Sequence, residues 1–349
     1  MIIRQSEPAN LEMPFGELDG FFTPNDKFYV RSHFATPEID PATWRLRIEG
    51  AVERPLELSY DELRARPMRT VAVTMECAGN SRIFLQPKVK GVQWEMGAVG
   101  NAEWTGVSLG DLLREAGCLA GACEVILEGA DHGSIAEPPR PAGNVHYARS
   151  LSLGKARRDV LLALAMNGEP LTRAHGFPVR AIVPGWYGMA AVKWLRRIIV
   201  IEEPFHGYYQ TVDYSYWEPG DGGARLVPIT EMQVKAAIAR PTQGEVVAAG
   251  GRYRVHGAAW SSDAEIARVE LSTDGAATWA DASLGEKSLP NTWRLWDYDW
   301  QVPDRPRRCS LMVRATDSRG RTQPMERDPN RGSYMINHCL PVEVEIRAG

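Results

Sequence analysis

The chain has 349 residues, 44% of them hydrophobic and 24% charged, with a formal net charge of −4 at pH 7. That is an ordinary composition for a soluble globular protein, and the length is too great for one comfortable core, so two domains are expected. The charge balance excludes an overall basic field for nucleic acid, and the absence of any run of eighteen apolar residues excludes a helical membrane span.

The first two-thirds alternates helix and strand signals. Ser59 with Glu62 reads as a capping box, and Pro67 stops the short helix that follows, Ser59 to Arg66. Ser108 with Asp111 repeats the signal, and Gly117 is placed to end that helix. Apolar runs of strand length occupy Thr70–Met75, Val125–Leu127, Val179–Val183 and Leu195–Ile201. Together these predict an α+β domain. Glu218-Pro-Gly-Asp-Gly-Gly reads as a linker. Beyond it lie short strand candidates at Val234–Ile238, Tyr253–Trp260, Ile266–Ser272, Trp293–Trp300, Leu311–Thr316 and Val342–Ile346, separated by turn signals such as Thr273-Asp274-Gly275. Their spacing predicts an immunoglobulin-like β-sandwich. The expected division is residues 1–228 and 229–349.

Five cysteines, Cys77, Cys118, Cys123, Cys309 and Cys339, form an odd set with no C-x-x-C pair. A disulfide framework or structural zinc site is therefore not expected, and a reducing compartment fits. Met1–Glu17 has neither an apolar h-region nor a twin-Arg pair, which predicts a cytoplasmic protein, or a periplasmic one if an export signal has been removed.

The segment that draws attention is Met75-Glu76-Cys77-Ala78-Gly79-Asn80-Ser81-Arg82. It follows a strand candidate, and its small residues let backbone approach a large ligand. By itself it reads equally as a buried free thiol, or as a Cys nucleophile whose His partner no signature places. Its surroundings add more. Phe28-Tyr29-Val30-Arg31-Ser32-His33, Gly91-Val92-Gln93-Trp94, Leu161-Leu162-Ala163-Leu164-Ala165-Met166-Asn167-Gly168, His175-Gly176-Phe177-Pro178-Val179-Arg180 and Val192-Lys193-Trp194-Leu195 follow in order. With the Cys segment, they resemble the sulfite oxidase family, which includes assimilatory nitrate reductase.

The resemblance implies a sulfite-oxidase-like molybdopterin-binding domain and a molybdenum–molybdopterin cofactor with Cys77 as the protein's ligand to the metal. A soft thiolate suits such a centre. It implies cofactor contacts from Arg31, His33, Cys77, His175, Arg180 and Lys193, and a pocket for a small oxyanion formed by Arg31, Arg82, Arg331 and Trp94. Arginine forks suit oxyanions because they offer paired planar donors. The implied reaction is oxidation of sulfite to sulfate, with electrons leaving to a separate acceptor, a cytochrome being one candidate. With no stretch before Phe28 long enough for a haem domain and none after the β-rich part for a flavin domain, neither is expected. Ile266-Ala267-Arg268-Val269-Glu270-Leu271-Ser272-Thr273-Asp274-Gly275 is similar to the centre of the family's dimerisation domain, which implies a homodimer.

Two positions depart from the family. Leu164 stands where sulfite oxidases carry a Tyr whose hydroxyl lies near the metal, and Ser81 stands where an Arg is frequent. Tyr187 is a candidate to supply the missing hydroxyl. The alternative function is the same chemistry on another sulfur compound, or reduction of a sulfoxide. Outside the class, a metal-free cysteine hydrolase and a cofactor-binding or partner-binding protein without turnover are the rivals.

Overall fold

Both predicted caps form. The Ser59 hydroxyl accepts from Glu62 N, the Glu62 carboxylate accepts the Ser59 N–H at 2.8 Å, and the helix runs Tyr60–Arg64. Ser108 caps Leu109–Ala116, and Gly117 ends it in the left-handed region at φ 70°, where glycine escapes the Cβ penalty. The Asp111 carboxylate does not return to Ser108; it bonds Arg69 and Arg114 instead. This eight-residue helix is the longest among the described residues. The first half is therefore richer in sheet than an α+β reading suggests. The computed structural model describes residues 1–286 and 289–348; residues 287, 288 and 349, inside the second expected domain, lie outside the described residues.

Two five-stranded sheets build the first half. One has the order Glu169–Pro170, Leu161–Met166, Val99–Ser108, Arg69–Glu76, with Arg180–Ile182 also paired to Leu161–Met166. The other has the order Leu56–Ser59, Arg45–Gly50, Leu195–Ile201, Glu124–Ser134, Asn144–Ser152. Its central strand runs parallel to Arg45–Gly50 and antiparallel to Glu124–Ser134. Leu195, Ile198 and Val200 on it are buried in the main core, because a central strand of a covered sheet has little free face. Strand Val99–Ser108 shows no clear period because it is buried at most positions; Asn144–Ser152 is a further strand that the sequence reading did not anticipate. The Phe28–His33 motif holds the short strand Val30–Arg31, the edge of a small three-stranded sheet.

The predicted linker is instead a hairpin tip: Ser215–Glu218 pairs with Arg225–Pro228. Beyond it all six predicted strands appear, extended by a residue or more at several ends. They form a sheet ordered Lys235–Arg240, Arg252–Trp260, Arg294–Gln301, Ser283–Leu284 and a second ordered Val246–Ala248, Val342–Arg347, Arg307–Asp317, Ile266–Ser272, Ala280–Asp281. Between them lies a separate apolar core that includes Val255, Val269, Trp300 and Leu311. No helix among the described residues is long and apolar enough to cross a membrane.

The two halves are joined by buried tryptophans. Trp260 and Trp293 come from the second half but pack in the main core of the first. The Trp293 N–H donates to Thr74 Oγ1 at 2.6 Å, and its indole Nε1 donates to Phe21 O at 2.9 Å. Removing so large a buried side chain leaves a cavity. Trp293→Ala is expected to cost about 3–5 kcal/mol in chemical denaturation; a loss under about 1 kcal/mol would mean that the joint is not packed in solution.

Candidate active site

Cys77 sits where a strand ends and a tight loop begins. Arg69–Glu76 pairs along its whole length with Val99–Ser108, which fixes the height at which the chain turns. The Cys77 N–H donates to Ala98 O at 2.8 Å, and the Asn80 N–H returns to Cys77 O at 2.9 Å. Asn80 Oδ1 accepts the Ala98 N–H at 3.1 Å. Gly79 leaves room for the Arg82 guanidinium: a Cβ there would stand 2.3 Å from Nη2 and would displace it. Ser81 turns the chain at φ 75°.

Beside this loop is a cavity partly open to solvent. Arg31, His33, Cys77, His175, Arg180 and Lys193 all stand on its wall. These six come from four separate motifs of the sequence, which converge on one space. Lys193 Nζ donates to Ser32 Oγ and to Ala174 O, both at 2.9 Å. Arg180 donates to His175 O and Ala191 O at 3.1 Å and stacks over Trp104 at 5.0 Å. His33 Nε2 meets the Tyr214 hydroxyl at 2.7 Å.

The wall's charge is lopsided. Asp131 is its one carboxylate among the described residues. Burial lowers Arg180 to about 10 and His175 to about 4, and it pushes Lys193 and His33 well below their ordinary values. Burial also raises Asp131 to about 7, although Lys193 and Arg31 pull the other way. Burial therefore disfavours charge on both members of the Asp131–Lys193 pair. An anionic occupant would reverse that for the cations. Two wall residues keep a buried atom without a protein partner: Arg180 Nε, a donor, and Asp131 Oδ1, an acceptor. A group with a phosphate and ring N–H donors fits both.

Burial also pushes the Cys77 thiol up, against the pull of Arg31 and Arg82. A nucleophilic cysteine needs the opposite shift and a histidine partner. His33 is bonded to Tyr214, and His175 Nε2 lies 3.1 Å from Asn25 O; the hydrogen bonds of both rings go to groups other than Cys77. A bound metal would deprotonate the thiol outright. No group of three or more His, Cys, Asp or Glu side chains among the described residues could hold a metal ion, so further ligands would have to come from a cofactor.

The remaining predicted residues lie elsewhere. Arg82 is buried beside the Cys loop, its Nε donating to Ser333 O at 3.0 Å and its Nη1 to Val92 O at 2.9 Å. Two of its donors are spent on backbone. Arg331 bonds Asp328 at 3.0 Å and stacks over Tyr216 at 5.5 Å. Trp94 is fully buried in a core cluster with Phe28, Tyr29 and Cys77, and is not on the cavity wall. Leu164 packs in the main core. Tyr187 does too, with its hydroxyl 3.4 Å from Gln233 N; the tyrosines on the cavity wall are Tyr29, Tyr147 and Tyr214. Asp131, Tyr147 and Tyr214 line the cavity without having been anticipated. No local pattern marks them; Tyr214 meets His33 across 181 residues.

Comparison with known proteins gives a consistent picture. The family model for the oxidoreductase molybdopterin binding domain matches residues 33–209, and that for the Mo-co oxidoreductase dimerisation domain matches residues 227–346. The mitochondrial sulfite oxidase of Mus musculus is 37% identical over 342 residues, covering 92% of this chain and 61% of that protein. The sulfite oxidase of Gallus gallus is 38% identical over 342 residues, covering 92% and 72%. Nitrate reductase (NADH) 1 of Oryza sativa subsp. japonica is 34% identical over 374 residues, covering 97% and 40%. Among solved structures, the sulfane dehydrogenase SoxCD from Paracoccus pantotrophus superposes with a TM-score of 0.82 at 29% identity, covering 97% of this chain and 84% of that one. The chain thus spans about three-fifths of the mouse protein's length.

The lowered His175 gives a pH test. A base whose folded pKa is depressed contributes stability that is present above its unfolded value near 6.5 and is lost as pH falls toward about 4. The cofactor-free protein should therefore lose on the order of 3 kcal/mol from this group between pH 6.5 and 4. Denaturation at several pH values should show a shallower acid decline for His175→Gln; equal slopes would refute the assignment.

Proposed function

This chain belongs to the sulfite oxidase family of molybdopterin oxidoreductases, and we propose that it oxidises sulfite to sulfate with Cys77 as the protein ligand of a molybdenum centre. The overall change takes sulfite and water to sulfate, two protons and two electrons. The observation that carries the reading is the meeting of one thiol with five cationic or imidazole groups, Arg31, His33, His175, Arg180 and Lys193, on a wall whose one carboxylate among the described residues is Asp131.

The bound molybdenum cofactor would supply the two-electron oxygen-atom chemistry. His33, His175, Arg180 and Lys193 would hold its phosphate and ring edge, with Asp131 Oδ1 accepting a ring N–H. Arg31 and Arg82 bear on Cys77 electrostatically and would draw an oxyanion to its side, with Arg331 at the rim. Electrons would leave to a separate acceptor, a cytochrome being one candidate.

A second reading has the same centre acting on another sulfur compound. The likeness to a sulfane dehydrogenase favours it; Leu164 does not bear on it, since it packs in the main core and not on the cavity wall. Reduction of a sulfoxide is a further form of this reading.

The division at residues 228 and 229, a cytoplasmic location and a homodimer are part of the same proposal. The dimerisation-domain match supports the dimer. The strand order of the two C-terminal sheets supports an immunoglobulin-like sandwich, since first, third, seventh and sixth strands form one sheet and the others the second. Light scattering should return twice the chain mass; a monomer would defeat the dimer.

The decisive assay is sulfite-dependent ferricyanide reduction by protein shown to contain molybdenum. Turnover should vanish in Cys77→Ala. A loaded enzyme inert toward sulfite would shift the assignment to the second reading.

A further inference from the structure

Cys77 lies between two residues that the second half of the chain holds. On one side, Glu76 Oε1 accepts from Lys235 Nζ at 2.8 Å and from Asn80 Nδ2 at 3.1 Å, while Oε2 accepts from Trp260 Nε1 at 2.9 Å. Lys235 Nζ donates again, to Ser81 Oγ at 3.0 Å. On the other side, Ala78 O accepts the Met335 N–H at 2.7 Å. The Glu76 and Lys235 side chains are each 2% exposed. Lys235 and Trp260 face each other across adjacent strands of the four-stranded sheet, so one rung of that sheet delivers both donors.

A buried ion pair is a poor device for stability, because desolvation offsets the attraction and an apolar pair of equal volume does as well. What it adds is direction. Lys235 reaches both ends of the loop, Glu76 before Cys77 and Ser81 after it. The small Ser81 side chain supplies an acceptor there; a long cationic side chain at this position would put a second positive charge beside Lys235.

We propose that Lys235 and Trp260 are positioning residues for Cys77: the second half of the chain fixes where the thiolate stands, besides any role in dimer formation. This rests on reading Cys77 as the metal ligand. It adds that the Cys loop is held from outside its own domain, through Glu76, Ser81 and Ala78.

The test compares Lys235→Met, Lys235→Arg and the double variant Glu76→Gln/Lys235→Met with wild type, all isolated with molybdenum supplied. Three quantities are read: molybdenum per chain, thermal midpoint, and the rate at which iodoacetamide alkylates Cys77, followed on its own peptide by mass spectrometry. Lys235→Met should alkylate at least tenfold faster than wild type, hold less molybdenum and melt lower, because Glu76 is left buried and unpaired. The double variant leaves no unpaired charge and should recover most of the midpoint, yet still alkylate at least fivefold faster. Lys235→Arg keeps donors for Glu76 and Ser81 and should return to within twofold of wild type. A double variant that alkylates at the wild-type rate would overturn the proposal, as would alkylation that follows the midpoint alone across all variants. Wild-type protein without molybdenum would sink the cofactor reading by itself; the alkylation ratios decide the positioning role in either case.

Discussion

Buried positive charge organises this molecule. Arg31, Arg180 and Lys193 share one cavity wall with a single carboxylate, and Arg149, fully buried, stands behind it with backbone oxygens of Tyr209 and Ile229 as its partners. Taking a cation out of water costs several kcal/mol even after relaxation. The protein meets part of that cost with carbonyls and aromatic faces: Trp104 under Arg180, Trp194 beside Lys193 and Tyr214 near Arg149. Those groups neutralise nothing. The remaining electrostatic cost is what an anionic ligand relieves, so affinity for an anion follows from the fold's own strain in charge.

The thiol stands in the same field. Burial favours the protonated form of Cys77 while Arg31 and Arg82 oppose that, a shift opposite to the one a free nucleophile needs; a bound metal would displace the proton. Its position depends on rigid neighbours. The ladder between Arg69–Glu76 and Val99–Ser108 sets the strand end, Asn80 closes the loop back onto Ala98, and the second half of the chain clamps the residues on either side. The buried Trp260 and Trp293 explain how a separate β-rich unit can do this: their side chains belong to the first core, so the units meet as packed interior and not as loosely touching surfaces.

Local signals in the sequence were legible where local physics governs. The Ser59 cap needs only Glu62, three residues away, and Gly117 needs only its own left-handed φ. The β-rich strands alternate buried and exposed side chains, as in Val342–Arg347, and so could be read from period two. Val99–Ser108 is buried at most positions and shows no period. The Glu218–Gly223 stretch has the composition of a linker, yet the strands that flank it pair; turn residues fit either role, and only pairing decides.

The chain's own order of residues determined the chemistry available: one cysteine in a small-residue loop, two histidines, and arginines and a lysine in motifs whose family context names a cofactor. Tertiary structure alone decided which of these share a space. Arg31, Cys77, His175, Arg180 and Lys193 converge on the cavity, whereas Arg82 spends its donors on Ser333 and Val92, and Trp94 is sealed in the core. Asp131, Tyr214 and Lys235 entered the picture only through contacts that span the fold, such as the 159 residues between Glu76 and Lys235. Such contacts leave no periodic or spacing signal, because the burial that makes them strong is created by packing elements distant in sequence, and it exists only once the chain has folded.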